Sequence, residues 1–280
     1  MPRGKRPSAR RARPARERNP PATPVEHGAV LRLVREVADE LDPGRTSAVL
    51  VAGSWLRGDA HVASDVDLWV IGRRGLRDTS LERSGRTFSI HYNTVAGERK
   101  AMRDPARLGG AVPGWRTARI LRDPKGSAAR LRSEALRFRW SSVRRARDRY
   151  LVDQLVGWSE EVMKLLRAME TEERATASVQ RNVLANRMAF LEALRREHLW
   201  GTENGLWEWV GRHTGRAFRS AQEAALSTRD AGWRESCEGA LRLYAVTARA
   251  NRALLRGEKR RIVAEACRRA GYPVQSSRSR

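Results

Sequence analysis

Two carboxylates separated by one apolar residue, Asp65 and Asp67, stand at the head of an apolar run, Val66, Leu68, Trp69, Val70 and Ile71. Read as a strand, that run turns alternate side chains to opposite faces, so both acids project to the same side. Like charges held that close repel, and a divalent cation between them relieves the repulsion. Asp65 and Asp67 are therefore the candidate metal ligands. Upstream, Gly53-Ser54 follows a second apolar run, Ala48 to Ala52. A Gly-Ser corner leading into a helical turn offers backbone N–H groups and a hydroxyl to phosphate oxygens. A cation site facing a phosphate site is equipment for nucleotide chemistry.

The succession Gly53-Ser54, Arg57-Gly58 and Ser64-Asp65-Val66-Asp67-Leu68 resembles the signature of the polymerase-β-type nucleotidyltransferases, and most of all their small bacterial members, the minimal and the antibiotic nucleotidyltransferases. The resemblance covers roughly residues 46–125. A lone Asp-x-Asp also occurs in glycosyltransferases and in solvated loops; joined to Gly-Ser, with both segments reading as strands, it is specific. The resemblance implies transfer of a nucleoside monophosphate, AMP by family habit, from a Mg²⁺- or Mn²⁺-bound NTP to a hydroxyl, with release of pyrophosphate. It implies Asp65 and Asp67 as catalytic metal ligands, Gly53 and Ser54 on the β and γ phosphates, and Arg57 and Ser64 beside the nucleotide. Arg57 has a surface ion pair as its ordinary alternative, and Ser64 a capping role. Asp59 and His61 lie in the connecting loop, where a histidine is commonplace. The implied acceptor is an aminoglycoside-like small molecule, a tRNA end or a protein.

One strand departs from that pattern. Arg86 to Thr94, RTFSIHYNT, alternates Phe88, Ile90 and Tyr92 against Ser89, His91 and Asn93, a strand with one apolar face. Relatives usually place a third carboxylate on this strand, and alternation puts Ser89 or His91 in its place. In the family's two-metal scheme the third acid holds the ion that activates the acceptor hydroxyl. Asp65, Asp67 and a triphosphate still suffice for the nucleotide-bound ion. His91 is then either a general base or a polar strand residue, and an acid from elsewhere is a further alternative. Two other classes stay open: a nucleotide-binding regulatory or antitoxin-like protein that no longer catalyses, and an RNA-binding or RNA-end-modifying protein.

These residues need elements to position them. Val30, Leu33, Val34, Val37 and Leu41 recur at helical spacing before Asp42-Pro43-Gly44, which predicts an amphipathic helix. Strands follow at Thr46 to Ala52 and Val66 to Ile71, then a loop or short hairpin from Gly72 to Gly85 and the strand at Arg86. Ala96 to Met102 reads as a helix, Gly109-Gly110 with Pro113-Gly114 as an irregular connection, and Thr117 to Leu121 as a fourth strand ending in the Asp123-Pro124-Lys125-Gly126 turn. Asp123 reads as a turn former rather than a ligand. Beyond it, apolar stripes such as Leu151, Leu155, Trp158, Val162, Leu165 and Met169 predict five or six helices. The fold class is thus α/β in the α+β sense. A small mixed-sheet nucleotidyltransferase domain at 25–126 precedes an all-helical bundle at 127–272, flanked by disordered tails at 1–24 and 273–280.

Such a bundle is where an acceptor is chosen. Trp200, Trp207 and Trp209 lie beside Glu203, Glu208 and His213, either as core or as a site for a cationic or ring-bearing acceptor. Glu160, Glu161, Glu203 and Glu208 are equal candidates for the acidic base that antibiotic nucleotidyltransferases draw from their helical half. The net charge of +24 raises the question of nucleic acid, and part of it lies in residues 1–24, with eight Lys or Arg against Glu17. That segment is either an arm for nonspecific polyanion contact or a solvated tail, and no aromatic residue is interleaved in it to stack on bases. Two cysteines, Cys237 and Cys267, exclude a disulfide framework and fit buried thiols in a reducing cytoplasm. No apolar run reaches membrane-spanning length, so no membrane partner is expected. P-loop, Rossmann and zinc-ligand spacings are missing. Arg86 and His91 give the only Arg-x4-6-His spacing, and on a strand they argue against a fused helical ribonuclease.

Overall fold

The computed structural model describes residues 24–41, 44–61, 63–73, 75–228 and 232–274. The expected disordered tails fall outside these residues except for Pro24, Pro273 and Val274. In chain order come α1 (Pro24–Glu40), β1 (Thr46–Ala52), α2 (Ser54–Arg57), β2 (Val66–Gly72), β3 (Thr79–Arg83), β4 (Arg86–Asn93), α3 (Val95–Ala101), α4 (Leu108–Thr117) and β5 (Arg119–Arg122). The helical half holds α5 (Ser127–Leu136), a 3₁₀ turn (Trp140–Val143), α6 (Arg144–Glu170), α7 (Arg174–Arg195), α8 (Glu203–His213), α9 (Arg216–Ala225), α10 (Trp233–Ala250) and α11 (Gly257–Arg269).

The five strands form one mixed sheet in the order β3-β4-β2-β1-β5, with β2 and β4 parallel and the other neighbours antiparallel. Alternation decides what each face meets. Val49, Val51, Val66, Leu68, Val70, Phe88 and Ile90 turn one way, where Val30, Val34 and Val37 of α1 cover them. Ala48, Leu50, Ala52 and Ile71 turn the other way and join Leu131 of α5, Leu155 of α6 and Leu243 of α10 in a single apolar cluster. The expected boundary at 126/127 falls at Gly126, which enters α5 with φ 66. That apolar cluster runs across it.

Of the loop or short hairpin expected before Gly85, the hairpin forms: β3 and β4 are joined by Ser84 (φ 52) and Gly85 (φ 74), both in the left-handed region that a two-residue turn between twisted strands requires. Other expectations need correction. The strand expected at Thr117 to Leu121 is β5, and Thr117 ends the helix before it. Seven α-helices, not five or six, follow Gly126 among the described residues. Gly205 and Gly211 lie inside α8.

The segment with Gly109, Gly110, Pro113 and Gly114 is no irregular connection but α4, whose Val112 and Trp115 are buried. Proline inside a helix removes one N–H and leaves the carbonyl four residues earlier without its partner. Here that carbonyl, Gly109 C=O, accepts the Gly201 N–H at 3.0 Å. The glycines lower helix propensity, yet two of them, Gly109 and Gly114, each admit an indole. A Cβ at Gly109 would overlap the ring of Trp200, and one at Gly114 would overlap Trp69, with Cζ2 at 3.1 Å. Packing has overridden local preference, because α4 is the layer between the sheet and the bundle.

The two cysteines are buried and unpaired, and burial pushes the Cys237 thiol up and the Cys267 thiol up to about 12, which makes them inert. No helix among the described residues is long and apolar enough to cross a membrane. Gly114→Ala should cost about 1–2 kcal/mol through overpacking against Trp69. Gly110→Ala is its control: the nearest atom to its Cβ would be Gly201 O at 3.9 Å, so stability should hold or rise by up to about 1 kcal/mol. Urea midpoints decide, and equal effects at the two positions would refute the packing role.

Candidate functional site

The antiparallel register of β1 and β2 sets Ala52 opposite Asp67, so the chain turns at Gly53 directly beside that carboxylate. Gly53 has φ 81 and ψ −161, a region that side chains exclude. A Cβ there would also overlap Asp67 Oδ2 and stand 3.0 Å from Cγ. Glycine is thus required at this corner twice over. The expected helical turn after it is α2: Gly53 C=O accepts the Leu56 N–H at 3.3 Å, and Ser54 C=O accepts those of Gly58 and Asp59. Arg57 pairs with Asp59 at 3.2 Å.

Asp67 is half-buried beneath the corner, while Asp65, just before β2, is exposed. Burial raises the Asp67 carboxyl above its ordinary value, and the neighbouring charge of Asp65 raises it further; His91 and Arg57 oppose both. The field of Arg57 therefore reaches Asp67. Ser64 sits in the turn leading to Asp65, its hydroxyl accepting the His61 N–H at 3.0 Å and its carbonyl accepting the Trp55 indole N–H at 3.4 Å. His61 is an exposed loop residue whose Nδ1 accepts the Ala63 N–H.

The parallel register of β2 and β4 pairs Asp67 with Ser89 and Trp69 with His91. Ser89 donates to Asp65 Oδ2 at 2.9 Å, where the resemblance would have a carboxylate. His91 lies between two acids: Nε2 is 3.7 Å from Asp67 Oδ1, and Nδ1 is 3.3 Å from Asp78 Oδ2. Ionised carboxylates only accept, and of the two contacts only that to Asp78 is within hydrogen-bond distance, which assigns the proton of a singly protonated ring to Nδ1. Asp78 is itself fixed by accepting the Tyr92 N–H at 2.8 Å.

The pattern of residues meets the demands of one divalent cation in part. A raised carboxyl beside a second carboxylate is what a cation would relieve. Among the described residues no set of three or more His, Cys, Asp or Glu side chains is arranged to hold a metal by itself. Two carboxylates with phosphate oxygens completing the shell is a common arrangement for Mg²⁺.

Beside His91 a cavity of about 440 Å³ opens between the sheet and α4. Trp69, Asp78, His91, Glu98, Arg107 and Gly201 are among its walls. Glu98 is held in place by the Asn93 amide and the Trp115 indole N–H, both at 2.7 Å. The four acids of the helical half do not line this cavity. Glu160 and Glu161 share Lys164, Glu208 pairs with Arg212, and Glu161 and Glu203 line a separate groove with Trp158 and Trp207. Trp200 and Trp207 pack edge-on to Phe190, and Trp209 is stacked between His198 and His213. Asp123 closes its turn and caps α5, Oδ2 accepting the Ala129 N–H at 2.9 Å.

Sequence reasoning missed Asp78, Glu98 and Arg107. Asp78 precedes Thr79, which pairs with Ile90, so placing the hairpin in register would have set Asp78 next to His91. No family model matches the sequence, and no curated protein matches it. Among solved structures, a nucleotidyltransferase-like protein from Exiguobacterium sibiricum matches with a TM-score of 0.50 at 15% identity, over 81% of this chain and 77% of that one. The chain has a nucleotidyltransferase-like fold. An 81% match exceeds what the sheet and its flanking helices can supply, so the likeness extends into the helical half.

The electrostatics of Asp67 carry a sign. A carboxyl raised by folding leaves stability intact below its ordinary value of 3.8 and removes it as the pH climbs through the folded value. With divalent ions chelated, Asp67→Asn should raise the melting temperature at pH 7 and raise it less at pH 3. A larger gain at pH 3 would contradict the assignment.

Proposed function

We propose that the protein is a nucleotidyltransferase that transfers a nucleoside monophosphate, AMP in the simplest case, from Mg²⁺-bound NTP to a hydroxyl. The observation that carries this reading is the glycine-only corner at Gly53 resting on Asp67, with Asp65 beside it on the same face. Asp65 and Asp67 would hold Mg²⁺ or Mn²⁺, and the ion would supply charge neutralisation on the phosphates. Backbone N–H groups at Gly53-Ser54 and the Ser54 hydroxyl take the β and γ phosphates. Arg57, close enough for its charge to act on Asp67, offsets the charge that builds on departing pyrophosphate.

The acceptor hydroxyl enters from the cavity at His91, whose size suits a small molecule or a terminal ribose. Its oxygen attacks the α-phosphorus, the bond from that phosphorus to the bridging oxygen breaks, and pyrophosphate leaves with the electron pair. With Nδ1–H donated to Asp78, His91 Nε2 is the basic nitrogen that receives the acceptor's proton. Asp78 and Glu98 beside Arg107 give the cavity an acidic balance that favours acceptors carrying positive charge, as an aminoglycoside-like molecule does.

Ser89 opposite Asp67 favours a second reading, a nucleotide-binding protein whose catalysis is weak or lost. Radiolabelled NTPs with Mg²⁺ and a panel of hydroxyl acceptors separate the two. Transfer by the wild type, reduced at least about 100-fold in Asp67→Asn, is the outcome expected of the enzyme. NTP binding without pyrophosphate release, indistinguishable in Asp67→Asn, would leave only the second reading. Ser89→Asp, which restores a third acid, should then raise labelling where the wild type labels weakly.

A further inference from the structure

On the far side of α3 from the His91 cavity lies a second concave surface, about 710 Å³ between α3, the end of α5 and the 3₁₀ turn. Glu98 and Ala101 face the first cavity, whereas Arg99, Met102 and Arg103 face this one. Four guanidinium groups, those of Arg99, Arg103, Arg137 and Arg139, surround the single carboxylate of Glu134.

That carboxylate is already engaged. Arg99 Nε donates to both of its oxygens, at 2.8 and 3.0 Å, and holds its carboxyl below the ordinary range, with Arg103 and Arg137 adding to the effect. Among the described residues no carboxylate comes within ion-pair distance of Arg103, Arg137 or Arg139. Some neighbouring arginines of the helical half do share a carboxylate, Arg195 and Arg196 on Glu192 and Arg268 and Arg269 on Glu265. Four guanidinium groups against one carboxylate leave an excess of positive charge on this wall, which makes a site for anions, and their planar forks suit phosphate oxygens.

One further feature narrows the anion. Phe138 lies in the same wall, half-buried and set edge-on by Trp140 at 5.5 Å. A ring between arginines is how proteins take a nucleobase between successive phosphates.

We propose that this cleft binds single-stranded nucleic acid, with Arg103, Arg137 and Arg139 on its phosphodiesters and Phe138 against a base. The test is fluorescence anisotropy on the full chain with labelled single-stranded RNA and DNA of about 12 nucleotides. The double variant Arg103→Ala/Arg137→Ala should weaken binding about tenfold or more at about 0.1 M salt. It should also flatten the salt slope by about 1.4, because two phosphates of a single strand keep their counterions. A second double variant, Arg252→Ala/Arg260→Ala, removes the same charge from exposed positions that do not line the cleft and should change binding less than about twofold. Equal loss for RNA and DNA supports a phosphodiester site common to both, and a larger loss for RNA supports a site that prefers RNA. Equal loss in the two double variants, unchanged oligonucleotide affinity in the cleft variant, or a loss confined to inorganic tripolyphosphate or anionic vesicles would overturn the proposal.

Discussion

A carboxylate pressed against a backbone corner is the constraint on which the rest of the molecule depends. Asp67 lies across the β1–β2 ladder from Ala52, and the chain leaves β1 through Gly53 at φ 81 with no room for a side chain. Any other residue would have to displace the carboxylate or change the path of the chain. Bringing Asp65 alongside adds repulsion to burial, and both raise the Asp67 carboxyl. Folding thus works against an ionised acid here, and an arrangement of that cost is expected where a site binds a cation.

What keeps the corner in place is the layer behind it. Trp69, two residues along the same strand, packs its indole over Gly114, and Trp115 lies edge-on to it at 5.9 Å while donating to Glu98. Gly109 receives Trp200 from the loop before α8 and gives its spare carbonyl to Gly201. A proline and three glycines in one short helix would be a defect in isolation. In place they let two indoles and a loop approach the helix axis, which ties the sheet face bearing Asp67 to the helical half.

The legible parts of the sequence were those governed by local periodicity. β1 and β2 read as apolar runs because one face meets α1 and the other the α4–α5 layer, and the alternation of β4 set Ser89 and His91 on one side of their strand, so these strands could be read directly. The Gly53-Ser54 corner was visible because only a turn explains that pair after an apolar run. Asp78 was hidden, since its place depends on the pairing of Thr79 with Ile90, and β3 is too exposed to show a pattern. Glu98 was hidden because its partners, Asn93 and Trp115, come from a strand and a helix that only the fold brings together. For α4 the composition misled outright, because its glycines answer to indoles distant in sequence rather than to local turn geometry. The conspicuous tryptophans before and within α8 proved mostly to be packing, with Trp200 against Phe190 and Trp209 between two histidines.

The central claim is that Asp65 and Asp67 act together as the cation grip for a triphosphate held at the Gly53 corner. Crystals grown with Mn²⁺ and a nonhydrolysable NTP analogue test it most directly, through anomalous scattering at the manganese edge. The account predicts a single strong manganese peak touching both carboxylates, with phosphate density running from it to Gly53-Ser54. Nucleotide bound elsewhere, or manganese absent from the pair while nucleotide occupies the corner, would contradict it.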